Sequence, residues 1–404
     1  MAIQGADSTH DEGPLQAIPL TRPDLPTFDD IKAPVQQFLE SKTIAYPGPC
    51  VEQFEREAGA NVGAHAVSVS SASMGLLFTL QAFGLKAGQR VILPGFTFTA
   101  TAQAIRYAGG VPSFVEVEED LTVSPSDLES LLSRYDDIAA VVPVHLHGQP
   151  CRVAEIQQVV DAAAGRCGRP IPVIYDAADA FGASVDGRMV GTFGNAEVFS
   201  LSTSQALSSI EGGLVTSHHV GLVQRIRKMR NYGLDDGKRT YWPGLNGRLS
   251  EVHAIFGLAS LHNLSERLAQ RQRKARAYAE QIERMTSFRV AARWESSAPT
   301  FRDFTIIVPQ PLKYRRDQVV ELLTAHGVEA RTPCFPPVHQ QPYFRNLADR
   351  PLPVTEDLSL RVVTIPFFTT MTGDEMEYVI AALAAAEAGV TRERVLSSPS
   401  EVAR

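Results

Sequence analysis

The sequence predicts an α/β protein whose large domain holds a mostly parallel, mixed sheet and is followed by a smaller C-terminal α+β domain. From about residue 30 to 265, short apolar runs alternate with segments of helical periodicity, which is typical of parallel strands joined by right-handed crossovers. Two of these runs, 138–144 and 171–175, are apolar almost throughout, as expected of strands covered on both faces. Further strand and helix patterns beyond residue 283 indicate the smaller domain.

The remaining elements follow from the same pattern. Strands are also predicted at 66–69, 90–93 and 304–308, and helices at 74–83, 316–326 and 374–386. Pro94-Gly95 ends the strand at 90–93, because this pair marks a turn. One long amphipathic helix is predicted from about Ser250 to Glu283.

The composition divides the chain into four parts. Residues 1–25 are polar and contain Pro and Gly, so we expect a flexible arm. The large domain is expected at 26–265 and the small domain at 266–386, and 387–404 is interpreted as a frayed tail.

Overall composition narrows the functional classes. The 404 residues are 44% hydrophobic and 21% charged, as in globular proteins with a large core. A net charge of -7 argues against nucleic-acid or anionic-membrane partners, and the basic stretches 225–230 and 267–276 are interpreted as solvated helix faces. The sequence shows no apolar run long enough for a membrane span and no signal-peptide pattern, and its four cysteines lack metal-ligand spacing. We therefore expect a cytoplasmic protein with reduced thiols and no metal site.

Polar residues follow two of the predicted strands. Asp176 comes directly after the run 171–175, at the strand end where ligands of open α/β sheets gather. A carboxylate there can hold a cationic ligand group or cap the next helix, and the residues alone leave both open. The serine-rich turn 70–74 precedes a helix whose free N–H groups attract anions. On the residues alone, an ordinary serine cap is favoured for this turn.

The segment 199–213 gives the most specific signal, because Ser200 leads it and Glu211-Gly212-Gly213 closes it. It resembles the cofactor segment of the DegT-type sugar aminotransferases, which are fold type I pyridoxal phosphate (PLP) enzymes. In that family, a lysine five positions after the serine forms a Schiff base with PLP and shuttles protons. This sequence has Gln205 there, and a carboxamide does neither. Further motifs extend the resemblance over about 30–386; they lie at 48–55, 94–101, 143–148, 244–251 and 335–343.

The resemblance implies a cofactor, PLP or pyridoxamine phosphate (PMP), and residues that would bind it. Asp176 would keep the pyridine nitrogen protonated, so that the ring remains an electron sink. Ala72 and Ser73, together with the Ser200 hydroxyl, would bind the phosphate. Phe98 would stack on the ring, although an aromatic residue at a strand end is often plain core.

Four further positions complete the comparison with the family. Asn246 would reach across an obligate homodimer to the partner's phosphate, which implies shared sites. Asp179 departs from the family's His or Gln near the phenolic oxygen of the cofactor; it would either transfer protons with a raised pKa or be a capping or solvated Asp. His339 is a candidate for lining the substrate pocket, whereas His147 in the motif 143–148 is interpreted as structural.

The missing lysine leaves three hypotheses. In the first, the protein binds PLP or PMP noncovalently and acts on a keto-sugar or ketocyclitol with another base, such as Asp179 or a serine-relayed water. The family's keto-sugar 3-dehydratases, which have histidine at this position and use PMP, offer an analogy. In the second, the chain is an inactive pseudo-aminotransferase that serves as a binding or scaffold protein. In the third, Gln205 is an engineered substitution; the serine-rich context at 202–204 favours a natural variant over this.

Overall fold

A computed structural model describes residues 17–42 and 47–397. The helices are α1 (Phe28–Ser41), α2 (Pro49–Val62), α3 (Ala72–Ala82), α4 (Thr99–Tyr107), α5 (Pro125–Arg134), α6 (Val153–Cys167), α7 (Val220–Met229), α8 (Glu251–Leu261), α9 (Leu264–Met285), α10 (Arg316–Ala325), α11 (Pro353–Ser359) and α12 (Gly373–Ser397). The strands are β1 (His65–Val69), β2 (Arg90–Pro94), β3 (Val111–Val115), β4 (Ile138–Val141), β5 (Ile174–Asp176), β6 (Ser184–Val185), β7 (Arg188–Met189), β8 (Ala196–Ser200), β9 (Gly213–Ser217), β10 (Arg289–Val290), β11 (Ser297–Ala298), β12 (Phe304–Ile307) and β13 (Val362–Ile365).

The large domain is built on a mixed sheet, as predicted. Its strands form two sets, in the orders β1-β9-β8-β5 and β3-β2-β4. The sets meet through parallel bridges that join Val141 to Val173 and Val144 to Asp176. The pairs β2–β3, β2–β4 and β5–β8 are parallel, whereas β9 runs antiparallel to both of its neighbours. The carboxyl ends of the parallel strands therefore lie along one edge, where β5 ends at Asp176 and β8 ends at Ser200.

The C-terminal part of the chain has its own small sheet and core. Strands β10, β12 and β13 pair antiparallel in that order. Tyr278 of α9 packs on Phe304, with ring centroids 4.9 Å apart, and Phe304 packs on Phe367 at 5.1 Å. All three side chains are fully buried. This aromatic cluster anchors the smaller α+β unit and holds the start of β12 in place.

Both chain ends are packed where the structure describes them. The predicted flexible arm covers 1–25, of which residues 1–16 lie outside the described residues. Ile18 is buried and bridges Val328 in parallel. The helix α12 continues to Ser397, and Val390 on it is fully buried. Ile18 and Val390 therefore belong to the core of the small domain, unlike the flexible arm and frayed tail expected around them.

The predicted single helix from Ser250 to Glu283 is wrong: it is two helices, α8 and α9. The break falls at Asn263, which adopts a left-handed conformation with φ 59°. Asparagine tolerates this conformation better than most residues. The apolar periodicity continues across the break, so the sequence pattern did not reveal it.

Two arginines in the basic stretches are buried, contrary to the expected solvated faces. Arg230 is fully buried beside the Glu55 carboxylate. Arg271 donates from Nε to the Thr300 carbonyl oxygen at 2.8 Å. Both arginines are stabilised by buried acceptors that lie far from them in sequence. No helix among the described residues is long and apolar enough to cross a membrane.

The amino end of α2 depends on a side chain from α8. Glu251 accepts hydrogen bonds from the backbone N–H groups of Cys50, at 2.9 Å, and Val51, at 3.0 Å. The N-cap residue, Gly48, has no side chain to do this. Glu251→Ala should therefore lower the free energy of unfolding by about 1–2 kcal/mol in a denaturant titration. Glu280→Ala, at an exposed position of α9, should change it by less than about 0.5 kcal/mol; equal effects would contradict the capping role.

Candidate active site

A cavity of about 560 Å³ opens at the carboxyl edge of the large sheet. Its walls include most of the residues that the sequence singled out and several that it did not: Ser71, Ala72, Ser73, Phe98, Thr101, His147, Asp176, Asp179, Ser200, Gln205, Arg302, Asp303 and Arg331. The large domain supplies Asp176, Asp179 and the serines of this wall, and the small domain supplies Arg302, Asp303 and Arg331. The cavity is therefore large enough for a cofactor-sized ligand and lies where α/β folds bind one.

Asp176 is the buried acid of this cavity. Its Oδ2 accepts from the Thr101 hydroxyl at 2.7 Å, and its Oδ1 accepts from the Ala178 N–H at 3.1 Å. Burial raises the pKa of Asp176 from 3.8 to about 6, against the opposing effect of these two hydrogen bonds. A cationic partner would reverse this shift, because it would stabilise the charged form.

The serine-rich turn forms the opposite side of the site. The helix α3 begins at Ala72, and the Ser71 hydroxyl caps it by accepting from the Met74 N–H at 3.2 Å. Gly213 lets β9 approach this turn, since a Cβ there would lie 2.7 Å from the Ala72 nitrogen. Gly213 pairs with Ser200 in the sheet, so the closing glycine of the motif brings Ser200 close to the start of α3, and both border the cavity. This arrangement can bind an anion.

Gln205 and Asp179 form a pair in the cavity wall. Gln205 Nε2 donates to Asp179 Oδ1 at 2.9 Å, and Asp179 Oδ2 accepts from the backbone N–H of His147 at 3.1 Å. Gln205 is 8% exposed. Among the described residues, no group donates to its buried Oε1. The sequence singled out both residues but did not indicate that they contact each other.

The small domain contributes charged residues that the sequence reasoning missed. Arg302 Nη2 donates to the Ser204 hydroxyl at 2.8 Å, and Arg302 Nε lies 3.8 Å from Asp179 Oδ1. Asp303 accepts from Arg302 Nη1 at 2.7 Å and from Arg331 Nη2 at 2.6 Å. Burial opposes ionisation of Asp303, but His147, Arg302 and Arg331 together outweigh it and lower the pKa of this carboxyl. The only available signal was their position next to a strand, and that signal is weak.

His147 lies in the cavity wall as well. Its Nδ1 is 3.0 Å from the Thr305 hydroxyl, and its Nε2 is 3.7 Å from Asp303 Oδ2. Burial lowers the pKa of His147, although Asp303 and Asp179 oppose this. Burial therefore favours the neutral imidazole and makes it a weaker base than an exposed histidine.

Three of the residues predicted for the site, Phe98, Asn246 and His339, differ from the others in exposure or in their distance from the cavity. Phe98 borders the cavity and is 69% exposed, so its ring face is open. Asn246 is exposed outside the cavity wall, where its Oδ1 accepts from Arg248 Nε at 2.8 Å. His339 is buried, with Nε2 3.1 Å from Glu356 Oε1. It is not among the residues that line this cavity, so its place in the substrate pocket stays a prediction.

The fold and this site define a class of protein, the fold type I PLP enzymes. A model of the DegT/DnrJ/EryC1/StrS aminotransferase family matches residues 27–384, and the chain belongs to this family. The chain is 30% identical over 357 residues to GDP-perosamine synthase of Caulobacter vibrioides, which covers 86% of this chain and 93% of that protein. It is 27% identical over 362 residues to dTDP-4-amino-4,6-dideoxy-D-glucose transaminase of Escherichia coli, which covers 88% and 95%.

Solved structures agree with this assignment. The crystal structure of DesI in the presence of its TDP-sugar product has a TM-score of 0.85 and 30% sequence identity, over 95% of this chain and 96% of that one. The family uses PLP or PMP, and the residues present fit such a group. The buried Asp176 carboxyl needs a cationic partner, the turn at Ala72 suits a phosphate, and Phe98 offers an open ring face. Within the described part of the chain, no His, Cys, Asp and Glu cluster could hold a metal ion.

The raised pKa of Asp176 predicts how the free energy of unfolding depends on pH. Below pH 3.8 the carboxyl is neutral in both the folded and the unfolded states; between 3.8 and about 6 only the unfolded chain releases the proton, so stability falls as the pH rises. Above that range the buried charge costs up to about 3 kcal/mol. At pH 8 and without added cofactor, the Asp176→Asn variant should therefore unfold at a higher denaturant concentration than the wild type. Below pH 4 the two proteins should unfold at the same denaturant concentration.

The control for this experiment is Asp186→Asn, at an exposed position. It should change the free energy of unfolding little across the same pH range, by less than about 0.5 kcal/mol. Equal pH profiles for wild type and Asp176→Asn would contradict the cost of the buried carboxylate.

Proposed function

We propose that the protein binds PLP or PMP without a covalent bond in this cavity and acts on a keto-sugar or ketocyclitol by a mechanism that needs no lysine. The proposal depends chiefly on one observation, Gln205 in the cavity wall, hydrogen-bonded to Asp179. By the register of the family motif, Gln205 takes the position of the cofactor lysine. The pairing gives the amide a defined place in the site.

The cofactor binding that we propose follows from the chain's own groups. Asp176 would keep a proton on the ring nitrogen, with Thr101 fixing the orientation of its carboxyl. The N–H groups at Ala72 and Ser73 and the Ser200 hydroxyl would bind the phosphate. The bound cofactor would supply an electron sink for bond cleavage next to an amine-bearing carbon. The cost of burying the Asp176 charge would then be offset by a charge-assisted hydrogen bond.

Proton transfer would depend on Asp179 in place of a lysine. Its carboxylate lies in the cavity wall and already contacts Gln205 and the His147 backbone. Arg302 Nε, 3.8 Å from Asp179 Oδ1, would place a positive charge beside this carboxylate. The neutral His147 imidazole is the second group there that can accept a proton. Gln205 would orient the reacting group without taking part in the transfer.

The substrate class is inferred from the relatives. They are named as a perosamine synthase and an aminodideoxyglucose transaminase, each on a nucleotide-linked sugar. A keto-sugar or ketocyclitol is rich in hydroxyl groups, and the mixed wall of carboxylates and arginines can donate to and accept from such groups. Arg302 and Arg331 also suit an anionic part of a substrate.

We also propose a homodimer in which Asn246 of one copy completes the cofactor site of the other. Asn246 is exposed and away from its own cavity, which leaves it available to a second copy. Sedimentation should give a dimer, and Asn246→Ala should weaken PMP binding severalfold while leaving the dimer intact. A monomeric protein, or unchanged affinity in the variant, would contradict the shared site.

Gln205→Lys tests the position of the cofactor directly. A lysine introduced at this position should reach the PLP aldehyde, and borohydride reduction should fix a pyridoxyl group there, detectable by intact mass and peptide mapping. The wild type treated in the same way should show no specific adduct. The exposed Gln158→Lys variant serves as a matched control and should behave like the wild type.

Substrate turnover separates an enzyme from a scaffold. Wild-type protein loaded with PMP should consume a nucleotide-linked 4-keto sugar or a ketocyclitol in an assay followed by NMR. Cofactor binding without consumption of either class would favour the pseudo-aminotransferase. A specific adduct on another lysine of the wild type, such as Lys238, would overturn the lysine-free mechanism.

A further inference from the structure

We propose that a second, smaller cavity, behind the wall that carries Gln205, is a binding site for one small monovalent anion, either chloride or a carboxylate group. This cavity has a volume of about 30 Å³. The site is separate from the cofactor cavity and does not require the function proposed above. Four arginines and one aspartate are among the residues that line it: Arg22, Arg267, Arg271, Arg302 and Asp24.

Arg271 supplies the central positive charge of this cavity. Its side chain is buried, and its hydrogen bonds go to neutral acceptors. Nε donates to the Thr300 carbonyl oxygen at 2.8 Å, Nη1 donates to the Thr369 hydroxyl at 3.3 Å, and Nη2 donates to the Phe301 carbonyl oxygen. Burial lowers the pKa of Arg271 to about 10. A buried guanidinium that is held by neutral groups alone would be stabilised by an anion.

The carboxylates nearest to Arg271 are already paired with other cations. Asp24 and Asp303 are the two whose negative charges act on it. Asp24 Oδ2 lies 2.7 Å from Arg267 Nη1, and Asp303 accepts from two other arginines. Within the described part of the chain, no carboxylate forms an ion pair with Arg271 itself. One positive charge is therefore left over, which is why we expect a monovalent anion.

The cavity also offers an uncharged donor and a way in from solvent. The Ser204 hydroxyl accepts from Arg302 Nη2 at 2.8 Å, so its own proton can be given to another acceptor. The rim is the exposed segment 21–23, where Arg22 pairs with Glu375 at 2.7 Å. The volume is about twice the ~15 Å³ that a single water needs, so it suits a chloride ion or one carboxylate group.

The anion would lie next to the candidate active site. Gln205 and Arg302 border both cavities, and Arg302 Nε is 3.8 Å from Asp179 Oδ1. A negative charge on the far side of Arg302 would reduce the positive potential that this arginine exerts at Asp179. Occupancy of the smaller cavity would thus be felt in the larger one.

The first test is thermal unfolding of the full-length wild type without cofactor. Chloride or formate is titrated while the bulky sulfonate buffer MES keeps the ionic strength constant. The midpoint temperature should rise along a saturating curve, because an anion that binds only the folded state shifts the unfolding equilibrium. A rise with chloride alone identifies a halide site, and a rise with formate alone identifies a carboxylate site. No rise with either anion beyond that with MES would overturn the proposal.

Two substitutions should change the anion affinity in opposite directions. Arg267→Gln removes one cation and frees Asp24 to compensate Arg271, so the Kd of the anion should rise at least about tenfold. Asp24→Asn removes the competing carboxylate, so the Kd should fall severalfold. Opposite shifts are expected of a site held by charge and not of a general loss of packing.

Arg273→Gln is the matched control. It removes the same charge from the same helix, α9, at an exposed position that does not line the cavity, and it should keep the wild-type Kd. An anion held at the serine-rich turn of the larger cavity would be insensitive to Arg267→Gln. Equal Kd values for Arg267→Gln and the wild type would therefore contradict the assignment to this cavity.

A direct measurement keeps the proposal testable if Arg267→Gln fails to fold. Crystals of the wild type soaked in bromide should show an anomalous scattering peak beside Arg271, and Asp24→Asn should still bind the anion more tightly than the wild type. A bromide peak elsewhere, or an unchanged Kd in Asp24→Asn, would overturn the site.

Discussion

The site depends on one buried carboxylate at the junction of the two strand sets. The Asp176 backbone N–H donates to the Pro143 carbonyl at 2.8 Å, and its carbonyl accepts from the His145 N–H at 2.9 Å. Its side chain accepts from Thr101 of α4. The same residue therefore joins the sheet and presents a costly negative charge to the cavity. Such a charge is best explained by a cationic ligand group, because an unpaired buried carboxylate lowers stability above pH 6.

Gln205 and Asp179 are best interpreted together, because they contact each other. Taken alone, Asp179 would be interpreted as a solvated or capping residue. Taken alone, Gln205 would be interpreted only as a residue in the position of the family's lysine. Together they form a hydrogen-bonded pair with a defined direction, since Asp179 is already fixed by the His147 backbone. This contact supports our proposal that the site works without a lysine.

The sequence predicted the parts of the site that arise from local pattern. The place of Asp176 at the sheet edge could be deduced from topology, because it directly follows a predicted strand. Ser200 and the phosphate role of the turn at Ala72 were implied by the resemblance to the family. Arg302 and Arg331 could not be predicted, because they reach the cavity from a domain whose packing no local pattern encodes. The contact of His339 with Glu356 could not be predicted for the same reason.

The arginines also show how the two domains share the site. Arg302 of the small domain donates to Ser204 in the same segment as Gln205 and lies 3.8 Å from Asp179. Asp303 is held between Arg302 and Arg331, so the charges of the small domain are balanced before any ligand enters. A shift of the small domain would change the field at Asp179 directly, since partly buried charges are screened much less than exposed ones. The electric field at Asp179 is thereby coupled to the packing of β12 on the aromatic cluster of the small domain.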